Sequence, residues 1–359
     1  MNEYNLWFSL VKLPNKIKLQ LLGEFNNTKE LWENHKKANV QLLKESKIIN
    51  SFEEAWRNKL FTSEDNKKLI NNLKIVTFYD EMYPKKLRNL EDAPTVLFYE
   101  GNINKLNENL SIAVVGSRKC TNYGINATKL ITKELSVNNI IIVSGLAKGI
   151  DTYAHSTCVS NGGYTCGVLG CGIDVIYPKE NKALYKAVAS TGCIISEYPP
   201  GTMPYNFNFP ERNRIISALS DVILVVEAGY KSGSLITASR ALDQGKDVIV
   251  VPGSVFSEQS RGANKLIKDG AYVFTAMEDI FDLIGIKNRS VGTNNSINIS
   301  PKEERIFSIL SSDPIHIDDI IRITNVDIKQ LYEVLFELQL KNAIMCLAGN
   351  YYVKINSTI

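Results

Sequence analysis

The chain has 359 residues, 44% of them hydrophobic and 22% charged, with a formal net charge of +3. That balance excludes a disordered or fibrous polymer, and the length exceeds what one hydrophobic core usually organises, so two or three domains are expected. The small positive surplus is too weak to signal a nucleic-acid binder through bulk field, so any anion site must come from local clustering.

The opening residues MNEYNLWFSLVKLPNK lack a basic start followed by an apolar run and a small-residue cleavage site, and no later stretch approaches eighteen uninterrupted apolar residues. The expectation is a cytoplasmic protein with no membrane association. Six cysteines, Cys120, Cys158, Cys166, Cys171, Cys193 and Cys346, lack C-x-x-C spacing and read as structural thiols, so no metal and no cofactor is expected.

Over residues 1–75 apolar side chains recur at helical intervals: Leu6, Leu10, Leu13, Ile17, Leu21, Leu22, then Phe52, Trp56 and Leu60. A small helical domain is predicted there. Residues 76–286 form the main domain, with a core at 111–285 where the pattern becomes strand then helix, repeated. The runs IAVVG (112–116), IIIVSG (140–145), TCGVLG (165–170), CIISE (193–197), VILVVEAG (222–229) and DVIVVPG (247–253) are apolar throughout, without alternation. Strands of that kind are covered on both faces, and their interleaving with helical segments predicts an α/β, Rossmann-like, doubly wound parallel sheet. The polar stretch beginning at Lys287 reads as a linker over 287–300. Residues 301–359 follow with three candidate helices and a Gly-Asn turn, a winged-helix pattern. Its third helix carries Asp327, Glu333 and Glu337 against Lys329 and Lys341, which favours protein contact or regulation over DNA reading.

In an open parallel sheet, ligands collect beyond the carboxyl ends of the strands, where helix N-termini converge. The first such loop is Gly116-Ser117-Arg118-Lys119, in which glycine permits a tight turn and arginine offers a planar fork to phosphate oxygens. The second, Ser144-Gly145-Leu146-Ala147-Lys148-Gly149, has the composition of a backbone-amide anion nest. A third places Tyr177, Lys179 and Asn181 after Gly170-Cys171-Gly172, and another places Ser232, Gly233 and Ser234 at a helix start after Lys231. The most specific stretch, Glu197 to Ser220, reads as holding a functional loop of about fifteen residues, and it interleaves Tyr198, Tyr205, Phe207 and Phe209 with Asn206, Asn208, Arg212, Asn213 and Arg214. Aromatic faces beside guanidiniums suit single-stranded nucleic acid. The competing reading is that these aromatics pin the loop and the arginines pair with Glu197 and Glu211.

The ordered segments GSRKCTNYG, SGLAKGIDTYAH, GGYTCGVLGCGIDVIYPKEN, SEYPPGTMPYNFNFPERNRIISALS, EAGYKSGSLITASRALDQGKDVIVVPGSV and GANKLIKDGA resemble the DprA/Smf family of DNA-processing proteins. The likeness continues upstream in YPKKLRNLEDAPTVLFYEGN and, more loosely, into a SAM-like helical start. The resemblance implies a non-catalytic protein that binds single-stranded DNA, hands it to a RecA-type recombinase during natural transformation, and forms homodimers. It implies phosphate contacts from Arg118, Lys148, Lys179, Arg212 and Arg214, assisted by the amides of Ser117, Gly145, Gly149 and Gly233. Tyr177, Phe209 and Asn213 would touch bases or shape their pocket. Ala218 departs from the family by standing where a glycine is expected, and the first segment lacks the glycine hairpin that grips duplex backbone.

Four rival readings arise, one of them a purely structural or scaffolding protein, which the glycines and cations concentrated at strand ends argue against. A phosphoribohydrolase of the lysine-decarboxylase-like fold would need a glutamate where Thr237 stands, and so loses its general acid/base. A dinucleotide-dependent dehydrogenase would need a G-x-G-x-x-G fingerprint, which is absent. A triad built on Asp151 and His155 competes with the plainer reading of a helix cap and a packed side chain.

Overall fold

The structure, a computed structural model, describes residues 2–25, 27–36, 40–57, 72–286, 299–311, 313–341, 343–347 and 349–354. Leu60 and residues 287–298 of the expected linker lie outside the described residues. The chain divides into two compact units, Met1–Thr275 and Ala276–Ile359.

The first unit opens with helices α1 (Asn2–Leu10), α2 (Asn15–Gly23), α3 (Thr28–Asn34) and α4 (Ser46–Trp56). They close around Trp7, whose ring meets Trp32 at 4.9 Å and Phe52 at 5.0 Å, and whose indole N–H donates to the Phe52 carbonyl at 3.0 Å. This core does not stop at the helices. Leu6, Trp7, Leu21, Ile48 and Phe52 belong to one buried cluster with Val96, Phe98, Leu169 and Ile194 of the sheet, so the helical segment covers one face of the α/β layer.

The sheet runs β1 (Ile75–Thr77), β2 (Val96–Gly101), β6 (Cys193–Ser196), β5 (Thr165–Val168), β4 (Ile141–Ser144), β3 (Ser111–Gly116), β7 (Val222–Glu227), β8 (Asp247–Val250) and β9 (Tyr272–Val273) in spatial order. From β6 to β9 all pairings are parallel, while β1 and β2 extend one edge in antiparallel fashion. The doubly wound parallel sheet expected from the apolar runs is therefore present. Strands β3 to β7 are buried almost end to end, because helices α5 (Asn122–Val137), α6 (Ile150–Ser160), α7 (Lys182–Thr191), α8 (Asn208–Leu219) and α9 (Gly233–Asp243) cover both faces. Helix α10 (Arg261–Lys268) joins β8 to β9. Cys158, Cys166, Cys171 and Cys193 are buried as free thiols, and burial pushes those of Cys158 and Cys171 up to about 11.

The second unit contains α11 (Met277–Leu283), α12 (Pro301–Phe307), α13 (Ile317–Thr324) and α14 (Ile328–Leu340), with a three-stranded sheet ordered β10 (Ile315–His316), β12 (Tyr351–Lys354), β11 (Ile344–Leu347). Ile306, Leu310, Ile320, Leu331, Leu335 and Tyr352 form its core. Helix α12 starts in a capping box between Ser300 and Glu303 with Pro301 at its first position. The Glu303 carboxylate also accepts from the Lys341 ammonium at 2.6 and 2.7 Å, tying the start of α12 to the end of α14.

Two outcomes follow from this packing. Phe98→Ala, which cuts the cluster shared by helices and sheet, is expected to cost about 3–5 kcal/mol. Tryptophan fluorescence, which reports only Trp7, Trp32 and Trp56, and the gain of thiol reactivity by the buried Cys158, Cys166, Cys171 and Cys193 of the α/β layer are expected to show one coincident transition; two separated midpoints would make the helices an independent domain. In the second unit, the Lys341 ammonium holds the Glu303 carboxyl down to about 2. Because this folded-state value lies below the unfolded one, the stabilisation is complete above the ordinary carboxylate range and is lost as pH falls toward 2. Melts taken between pH 6 and about 2 are expected to show that acid-side loss in the wild type and its absence in Glu303→Gln.

Candidate nucleic-acid interface

Strand β3 starts the parallel sheet. The chain winds from it through β4, β5 and β6 in one direction, then returns along α8 to lay β7 against its other side. The loops leaving β3 and β7 diverge, and a cleft of about 550 Å³ opens between them at the carboxyl edge. Its walls are Gly116, Ser117, Arg118 and Lys119 after β3, Ala147 and Asp151 after β4, Lys231 to Ser234 after β7, and Phe209, Arg212 and Asn213 from α8. A recess of about 50 Å³ shares Arg118, Phe209 and Arg212 with the cleft and adds Gly145, Lys148 and Tyr177.

The loops after β3 and β4 cross in contact. Gly149 has φ +78°, and a Cβ there would lie 2.2 Å from the Ser117 carbonyl, so the crossing requires glycine. The Ser117 N–H donates to the Glu227 carbonyl at 2.6 Å, and its hydroxyl donates to Gln259 at 2.9 Å. Glu227, buried at the end of β7, accepts from the Thr121 N–H at 2.8 Å and the Thr121 hydroxyl at 2.7 Å, holding the start of α5. Ser144 is buried with its hydroxyl donated to the Val114 carbonyl at 2.7 Å.

Three exposed cations face the cleft: Arg118, Lys119 and Lys231. Among the described residues none of the three has a carboxylate at ion-pair distance. The N-terminus of α9 adds its positive end, with Ser232 capping Ser234 and Gly233 at the first helical position. Phe209 lies between two guanidiniums, 5.6 Å from that of Arg118 and 5.9 Å from that of Arg212, and 5.5 Å from the Tyr177 ring. The Asp151 carboxylate is internal: it accepts from the N–H groups of Gly145 at 3.0 Å and Ala147 at 3.4 Å, and burial pushes its pKa up against the opposing pull of Arg212. His155 is paired with Thr165 at 2.7 Å and held down to about 3 by burial, the packed side chain expected. Asp151, in contrast, does not cap α6: the N-cap is Gly149, without a side-chain cap, and the carboxylate gathers loop amides instead.

Several residues expected to hold phosphate have other occupations. The loop of about fifteen residues expected after Glu197 ends sooner, because α8 begins at Asn208 with Pro210 tolerated in its first turn. Residues two apart on a helix point about 200° from each other, which sends Arg212 and Arg214 in opposite directions. Arg212, 4% exposed, lies beneath the cleft and donates to the carbonyls of Gly145, at 3.0 Å, and Val168. Arg214 lies outside the cleft, paired with Glu197 at 2.5 Å and Asp92 at 3.1 Å. Asn213 accepts from Arg212 and reaches the Gly233 carbonyl at 3.4 Å. Lys148 meets Glu180 at 2.7 Å. Asn181 pins the β4 loop through the Leu146 carbonyl at 2.9 Å and the Thr152 hydroxyl at 3.0 Å, while Lys179 is exposed beyond the cleft. The amides of Ser117 and Gly145 are already donated within the protein. Gln259 lines the cleft without a sequence signal, since only folding brings the loop after β8 to Ser117, and Asn206 of the stretch before α8 lines it as well.

Comparison with known proteins agrees with this architecture. Residues 74–285 match the family described as DNA recombination-mediator protein A, and residues 294–350 match the DprA winged helix domain. The chain belongs to the DprA/Smf family. The DNA processing protein DprA of Streptococcus pneumoniae is 45% identical over 201 residues, covering 56% of this chain and 71% of that protein. The X-ray structure of DprA from Streptococcus pneumoniae superposes with a TM-score of 0.68 at 36% identity, covering 79% of this chain and 97% of that one. DNA processing protein A from Helicobacter pylori, a structure described for its single-stranded DNA binding mode, gives 0.54 at 32% identity over 59% of this chain and 96% of its own. Within the DprA/Smf pattern, Ala218 fills the expected glycine position as a buried residue of α8.

Arg214→Ala is expected to lower stability by about 3–5 kcal/mol by leaving the buried Glu197 carboxylate uncompensated, read as a shifted urea midpoint. A midpoint equal to wild type would show that the pair contributes nothing to the fold.

Proposed function

We propose that the cleft binds single-stranded DNA, with phosphates held by Arg118, Lys119, Lys231 and the N-terminus of α9, and bases against Phe209 and Tyr177. The observation that carries this reading is the gathering of three unpaired cations around an accessible aromatic ring at the switch point of the sheet. Lys148, Lys179 and Asn181 would steer the strand from the neighbouring loop. Arg212, Asn213, Ser144, Gly145 and Gly149 would support the walls, and Arg214 the scaffold behind them. The Helicobacter pylori relative described for single-stranded DNA binding supports the ligand class.

The role proposed is that of a non-catalytic, cytoplasmic mediator that protects incoming DNA and passes it to a RecA-type recombinase. Thr237, at the position where a hydrolase would need its glutamate, lines the cleft and supplies no acid/base group. Homodimer formation is proposed with it. The open edge of β9, where Tyr272 and Val273 are exposed beside unpaired backbone groups, offers a surface for a second copy. Among the described residues no helix is long and apolar enough to cross a membrane.

Affinity for oligo-dT is expected to fall with salt with a log–log slope of about −0.7 per phosphate contacted, and Arg118→Ala to flatten it by about one such step. Duplex of the same length is expected to bind more weakly, because paired bases cannot reach Phe209 and Tyr177. An unchanged slope in the variant, or equal affinity for duplex and single strand, would overturn the assignment.

A further inference from the structure

Two rings at the rim of the cleft are left largely in water. Tyr205 and Phe207 flank Asn206, which lines the cleft, and are 52% and 69% exposed. Their centroids lie 5.5 Å apart with planes only 3° from parallel, an offset stack. A loop that merely needed closing would turn such faces inward, since an exposed ring forgoes the stabilisation of burial. Here the backbone holds them out. The Tyr205 N–H donates to the Met203 carbonyl at 2.8 Å, and the Asn208 N–H donates to the Tyr205 carbonyl at 3.0 Å. The buried Asn208 side chain then anchors this turn to the Gly170 carbonyl at 3.0 Å.

We propose that the Tyr205–Phe207 pair is a second stacking platform, taking bases of the same single strand where it leaves the cleft. This rests on the reading of the cleft as a single-stranded DNA site and extends it by naming where the next nucleotides go. Charge and chain continuity select the occupant. A polyanion whose phosphates lie on Arg118, Lys119 and Lys231 carries its next bases past the residue beside which both rings stand. The pair is already stacked and its loop already fixed, so a base adds to an existing column with little further ordering of the protein. Every base has a π-face, so the platform is sequence-tolerant. It acts only on strands long enough to reach it, which gives the proposal a signature that the cleft alone lacks.

The test compares the full chain with the double variant Tyr205→Ala, Phe207→Ala on oligo-dT of about four and about twenty nucleotides. The wild type is expected to gain affinity with length. The double variant is expected to lose about 5- to 150-fold on the long strand, the span for one stacked base, and less than twofold on the short one. In a second variant, Phe207→Trp, indole emission is expected to be quenched by the long oligonucleotide and not by the short one. Wild-type affinity of the double variant for the long strand, with Arg118→Ala still weakening binding, would overturn the platform and leave the cleft reading standing. Equal losses on both lengths would place the rings inside the cleft contact and also overturn a separate platform. Failure of the wild type to bind either oligonucleotide would overturn both.

Discussion

A guanidinium buried under the cleft holds this architecture together at its functional edge. Arg212 fastens the carboxyl ends of β4 and β5 by donating to the carbonyls of Gly145 and Val168. A buried cation is costly unless its donors are satisfied and its charge is opposed. Here the two carbonyls and Asn213 accept from it, and Asp151 opposes its charge while gathering the Gly145 and Ala147 amides. The same guanidinium fills the space a side chain at residue 145 would need, since a Cβ there would lie 2.7 Å from it. One buried charge thus accounts for the glycine after β4, the carboxylate in the first turn of α6 and the position of Phe209 above the floor.

This arrangement shows which parts of the interface were legible in the sequence. All six apolar runs of the core correspond to strands β3 to β8, because a strand covered on both faces must be apolar along its length. β1 and β9 span three and two residues, too short to carry any period, and β2 pairs antiparallel at the edge, outside the repeated strand–helix rhythm. The stretch before β7 misled for a different reason. Its interleaved aromatics and asparagines suit a long loop, yet from Asn208 onward the chain is helical, and helical geometry separates Arg212 from Arg214. The Arg214–Glu197 pair is the competing reading that sequence could frame but not decide, because residues seventeen apart meet only through the fold.

The N-terminal segment and the second unit illustrate the same limit from opposite sides. Helical periodicity in residues 1–57 was readable, whereas the merging of its core with β2 and the β5 loop was not, since no local pattern encodes which apolar face meets which. In the second unit the acids of α14 were visible from the sequence, and the structure adds that Ile328, Tyr332 and Phe336 are exposed on successive turns of that helix. An apolar stripe beside Glu333 and Glu337 is unlike the cleft of the first unit, where cations surround a ring. The two units therefore present surfaces of different chemistry despite the near-neutral balance of the whole chain.

A chain of net charge +3 can still gather cations locally, and the cleft is one place where this one does. Some lysines away from the cleft are paired with neighbours, as in Lys12–Glu54, Lys16–Glu91, Lys36–Glu53 and Lys265–Asp269, while exposed Lys133, Lys182 and Lys268 have no carboxylate at ion-pair distance among the described residues. Within it, Arg118, Lys119 and Lys231 have no carboxylate at ion-pair distance among the described residues, and the one carboxylate among the lining residues, Asp151, is turned into the protein toward amides. Screening in physiological salt damps an exposed charge with a decay length of about 8 Å, so cations spread over the surface act on the strand more weakly at any one point than cations gathered together. Leaving a few cations unpaired around an aromatic ring, beside a helix N-terminus, gives a local field that composition cannot reveal and strand-end spacing can.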